Sequence, residues 1–71
     1  PVLIAFSTND ALSASAKNIG ELLNRRNYYF VPIRQDMPDK KPCSAVADFS
    51  LIPEAAAAAL EHKQLQPIII E

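Results

Sequence analysis

Apolar residues along this chain fall into blocks whose spacing changes several times, and each change marks an element. Val2 to Phe6 is a continuous apolar run without alternation, the pattern of a strand buried on both faces, as in a parallel sheet. Ser7-Thr8-Asn9-Asp10 follows, a cluster of turn and helix-capping residues. Leu12, Ala16, Ile19 and Leu23 then recur at spacings of four, three and four, which places them on one face of a helix. Asn9 or Asp10 is the expected cap of that helix, Arg25 and Arg26 suit the negative end of its dipole, and Asn27 suits a left-handed stop. Gly20 in its interior costs about 1 kcal/mol relative to alanine, and close packing against a strand is the expected reason.

Tyr28 to Ile33 is aromatic and β-branched and reads as a second strand. Pro32 lacks the N–H a ladder needs, so the strand is expected to end there or run along an edge. Arg34 to Phe49 shows no period and carries Pro38, Pro42 and many charges; structureless stretches of that length are often functional. Ser50 and Pro53 mark a second helix start, with Glu54 in its first turn and Ala55 to Leu60 as a strong helix-forming block. Pro67 stops any continuation, and Ile68-Ile69-Ile70 reads as a short third strand or an apolar arm.

Strand, helix, strand, loop, helix, strand is the order of an α/β sheet with parallel strands and crossover helices. One consequence needs no motif. Loops that follow parallel strands leave the same edge of the sheet, where open α/β sheets bind ligands. Residues 7–10 and part of 34–49 are therefore expected to share a rim.

Composition narrows the function classes. The chain has 71 residues, a net charge of −1 and an estimated pI of 5.7, without the basic excess of a nucleic-acid surface. No apolar run approaches the length needed to span a bilayer. One cysteine, Cys43, and one histidine, His62, supply neither a disulfide nor a four-ligand metal cage, and a lone thiol fits a reducing, cytoplasmic setting. The first residue is not methionine and lies beside an apolar run, so the chain is expected to be a segment of a larger domain.

Ser7, Thr8 and Asn9 are the best candidates for cofactor binding. A turn at a helix N-terminus offers unpaired N–H groups and a favourable dipole for phosphate or carboxylate, and these side chains add neutral donors. The plainer reading is that one of them caps the helix and the others form a turn. Lys40 and Lys41 suit an anionic ligand or a solvated surface. Cys43 has no adjacent base in the sequence, and a passive thiol is the simpler reading. His62 near a helix C-terminus reads as structural. With Gly20 the sole glycine, no glycine-rich phosphate loop exists. No catalytic residue is assigned.

Taken together, Ile4-Ala5-Phe6-Ser7-Thr8-Asn9-Asp10-Ala11-Leu12, Tyr29-Phe30-Val31-Pro32, Lys40-Lys41-Pro42 with Ser44 and Val46-Ala47, and Lys63-Gln64-Leu65-Gln66-Pro67 keep the order and spacing of a known family. The chain resembles the C-terminal part of the dipicolinate synthase B-subunit family, within the flavoprotein and decarboxylase-like superfamily. The resemblance implies a three-layer, Rossmann-like flavoprotein-type sheet, present here as its C-terminal β-α-β-loop-α-β part, with residues 1–71 a segment of a single domain. It implies a homo-oligomeric oxidoreductase subunit of sporulation, with FMN as a possible cofactor. An A subunit carrying the nicotinamide site is its implied partner, and formation of dipicolinate from a dihydrodipicolinate-type precursor is the implied reaction. In related cysteine decarboxylases the equivalent turn reads Pro-x-Met-Asn; here it reads Phe6-Ser7-Thr8-Asn9, so Asn9 alone matches. Cys43 lies where those enzymes carry a catalytic cysteine, but without the surrounding glycines. A decarboxylase-like flavoprotein, or a structural subunit assembling through Ile68-Ile69-Ile70 and the Ala55 to Ala59 face, are the alternatives.

Overall fold

The computed structural model describes all 71 residues. Strand β1 (Val2–Ile4) pairs in parallel with β3 (Tyr28–Phe30), in the register Val2 to Tyr28, Leu3 to Tyr29 and Ile4 to Phe30. Helix α1 (Ala16–Leu23) is the crossover between them. Strand β2 (Ser7–Thr8) and strand β4 (Ile33–Arg34) flank β5 (Ala45–Ala47), both antiparallel to it. A short 3-10 helix, Phe49–Leu51, leads into α2 (Ile52–Leu60). The isoleucine run returns to the sheet: the Ile33 N–H donates to the Ile68 carbonyl at 2.8 Å and the Ile70 N–H to the Ile33 carbonyl at 2.8 Å, forming one parallel bridge.

The α/β architecture with a parallel pair and two helices matches the expectation, and β3 ends just ahead of Pro32, as the missing N–H requires. Four local expectations are corrected. The first helix begins at Ala16, not beside Asn9 or Asp10, and its N-cap Ser15 makes no side-chain cap bond. It also ends at Leu23, so Arg25 and Arg26 lie beyond it. The stretch 34–49 is not structureless; Ala45-Val46-Ala47 is too short and too small for a periodic signal but forms the central strand of the antiparallel ladder. Gly20 has no packing reason, because a Cβ built there meets nothing within 4 Å.

Packing follows from the alternation of an extended chain. Phe30 meets Phe6 edge-on at 6.1 Å between ring centroids and lines a groove with Ile19 and Leu23 of α1. The next residue, Val31, is fully buried against Ala47 and Ala55 of α2, with Leu3, Leu51 and Leu65 around them. Successive residues point to opposite faces, so α1 and α2 cover opposite sides of β3. Ala55 and Ala59 are buried within the chain, and their small side chains let α2 lie close to the sheet.

The outer edge of β3 is closed by a side chain. Gln64 Oε1 accepts from the Phe30 N–H at 2.8 Å and Gln64 Nε2 donates to the Phe30 carbonyl at 2.6 Å. The amide thus takes the place of a peptide group of a neighbouring strand, satisfying both polar groups of a buried residue.

Candidate functional site

Parallel pairing sends the chain out of β1 and β3 at the same edge, and the antiparallel ladder then ties the two outgoing segments together. Ser7 lies opposite Val46 and Thr8 opposite Ala45. The Ala47 N–H donates to the Phe6 carbonyl at 2.7 Å and the Asp48 N–H to the Pro32 carbonyl at 2.9 Å. The Leu12 N–H reaches across to the Cys43 carbonyl at 2.9 Å. Residues 7–10 and 34–48 therefore share one rim, the juxtaposition the order of elements demands.

Within the turn, Asp10 is the organiser. Thr8 Oγ1 donates to Asp10 Oδ1 at 2.5 Å, Ser15 Oγ donates to the same oxygen at 2.8 Å, and the Asp10 carbonyl accepts from the N–H groups of Ser13 and Ser15. The hydroxyls of Thr8 and then Ser15 hold the Asp10 carboxyl below its ordinary pKa, because hydrogen bonds to the charged form favour it. The Thr8 hydroxyl proton is thereby committed within the turn. Ser7 and Asn9 are exposed, with side chains free of protein hydrogen bonds. The turn does not abut the N-terminus of α1, so the dipole argument for an anion at this place fails, and an ionised carboxylate in the same turn disfavours one further. What remains is a hydroxyl and an amide presented to solvent, fit for an uncharged polar group.

The facing loop is folded by its own polar residues. Ser44 Oγ donates to Asp36 Oδ1 at 3.1 Å, Gln35 Nε2 donates to the Pro42 carbonyl at 2.8 Å, and the Lys41 N–H donates to the Met37 carbonyl at 2.7 Å. The Asp36 carboxyl is held low by backbone N–H bonding and by Ser44. Arg34 pairs with Asp48 at 3.0 Å, and the Asp48 carboxyl is held low first by the Ser50 hydroxyl and also by Arg34. Lys40 and Lys41 are exposed and Cys43 is half-buried with a free thiol.

Three clefts mark the surface. A groove of about 160 Å³ is lined by Leu12, Ile33, Arg34, Gln35, Ala45 and Ile69, and an apolar one of about 200 Å³ by Phe6, Ile19, Leu23, Phe30 and Ile33 with Ile68 and Ile69. The largest, about 520 Å³, lies at the opposite end of the parallel pair beside Arg25, Arg26, Tyr28 and His62. Ser7, Thr8 and Asn9 line none of them. In the sequence Arg25, Arg26 and His62 read as helix-end charges; the available signal is the position of the arginines beside Asn27 and Tyr28, but nothing local brings residue 62 to residue 27. No group of three or more His, Cys, Asp or Glu side chains is placed to hold a metal ion, and no helix is long and apolar enough to cross a membrane.

No family model matches the chain. It is 46% identical over all 71 residues to the dipicolinate synthase B subunit of Bacillus subtilis (strain 168), of which it covers 36%. The crystal structure of the dipicolinate synthase B subunit from Bacillus halodurans C superposes on the entire chain with a TM-score of 0.97 at 46% identity, again with 36% of that chain covered. The resemblance read from the sequence thus extends over the full length of this chain, which spans about a third of these relatives.

Proposed function

We propose that this chain serves as part of a dipicolinate synthase B-type subunit, acting with an A subunit to form dipicolinate from a dihydrodipicolinate-type precursor in sporulation. The supporting observation is 46% identity without loss of the backbone path, at a TM-score of 0.97. The nicotinamide site belongs, in this reading, to the A subunit. FMN is the cofactor proposed for the B side. The neutral part of such a ligand suits the rim better than its phosphate: Ser7 and Asn9 offer an unengaged hydroxyl and amide, the Thr8 hydroxyl donates its hydrogen bond to Asp10, and Asp10 is ionised. Ser7 and Asn9 would hold polar atoms of the ring system or its hydroxylated chain, with Thr8 fixing the turn. When bound, the flavin supplies redox chemistry; this segment supplies orientation.

Titration of the protein with FMN, followed by flavin fluorescence, tests the assignment. Asn9→Ala and Ser7→Ala should each weaken binding several-fold, about the value of one lost hydrogen bond. Unchanged affinity in the double variant, together with undiminished dipicolinate yield alongside the A subunit, would remove the rim from the site.

A further inference from the structure

The largest cleft has a composition unlike the rim. Among the nine residues that line it are Arg25, Arg26, Asn27, Tyr28 and His62, and none is Asp or Glu. Arg34–Asp48 is the chain's one ion pair, so neither Arg25 nor Arg26 has a carboxylate within reach, although Glu21 lies four residues before Arg25. The Arg25 guanidinium lies over the Tyr28 ring at 5.8 Å from its centroid, a cation–π contact that leaves its N–H donors unused.

Two non-glycine residues with left-handed backbones meet at this cleft, Asn27 at φ 64° and His62 at φ 59°. They are joined by Asn27 Oδ1 and His62 Nδ1 at 3.2 Å. With its oxygen on the ring, the Asn27 amide is left with its N–H₂ donors. The C-terminal ends of α1 and α2 both lead here and carry fractional negative charge, roughly half a unit each, which two whole arginine charges outweigh.

We propose that this cleft, at the amino end of the parallel pair and across the molecule from the rim, is a second binding site, for a small multivalent oxyanion. Its volume of about 520 Å³ is within the range of small-molecule sites, ~300–1,000 Å³. Arg25 and Arg26 supply paired donors for phosphate or carboxylate oxygens, and Asn27 adds a neutral donor. A phosphate ester and a polycarboxylate share this chemistry.

The test is an NMR titration of the protein at constant ionic strength, with pyrophosphate in one arm and citrate in the other. Saturable shifts should gather on the Arg25 and Arg26 side chains, Asn27 and Tyr28, and the tighter ligand names the source. Arg25→Gln with Arg26→Gln should weaken binding about tenfold or more, as the loss of charged hydrogen bonds requires. Lys40→Gln with Lys41→Gln removes the same charge elsewhere and should change it less than about twofold. All four positions are exposed, and circular dichroism verifies folding. Equal weakening by both double variants, shifts spread over every lysine, or no saturable shift in the millimolar range would each overturn the proposal.

Discussion

Gln64 closes the edge of β3 with one amide, and the strength of that contact is open to a direct check. Phe30 is buried, so removing the amide leaves an N–H and a carbonyl without partners. Gln64→Ala should lower unfolding stability by about 2 kcal/mol or more, since each orphaned buried group costs about 1–3 kcal/mol. Gln64→Glu keeps the acceptor for the Phe30 N–H and loses the donor to its carbonyl, so its loss should be of the same order. Urea midpoints measure both; a change below about 0.5 kcal/mol in Gln64→Ala would show the edge to be closed by other means. Nothing in the sequence marks this role, because the bond joins residues 34 apart and a glutamine in a polar stretch is ordinary. Asn27, by contrast, is legible: a helix followed by asparagine and a strand asks for a left-handed residue, and its φ is 64°.

Among the elements, α1 is the one the sequence overstates. Its apolar spacing runs from Leu12 to Leu23, but the first turn is taken by the Asp10 network, whose carbonyl and carboxylate bind Ser13 and Ser15 before helical bonding begins. Serine and aspartate compete with helix backbone in this way, and their clustering over residues 10–15 is the signal that periodicity alone hides. Strand β5 is illegible for the opposite reason: alanine has little strand preference, and Ala45 and Ala47 are chosen for their size against buried neighbours. Gly20 has no structural defence. Gly20→Ala should stabilise the chain by about 1 kcal/mol through helix propensity, read from the urea midpoint. Destabilisation would mean that another polypeptide covers this side of α1.

At the scale of the molecule, the rim follows from element order alone, and the largest cleft does not, because it is built from two helix ends that meet only through the fold. Buried residues number 9 of 71, so side-chain networks at the surface bear more of the stability than a thick core would leave to them. Asp10, Asp36 and Asp48 are all held below their ordinary pKa. A carboxyl lowered on folding stabilises the folded state fully above its unfolded value, near 4, and this contribution vanishes as acid protonates it. The melting temperature should hold steady from about pH 8 down to about pH 5 and fall below about pH 4. Replacing the three by asparagine should flatten that fall; an unaltered acid limb in thermal melts would assign it to other groups.

The amide that seals β3 also gives the sheet a direction. Gln64 takes both outward polar groups of Phe30 on one flank of the parallel pair, whereas the other flank, Val2-Leu3-Ile4, carries no lysine, proline or bulge to deter a further strand. A wider sheet built on this scaffold grows most readily from the β1 side, away from the glutamine.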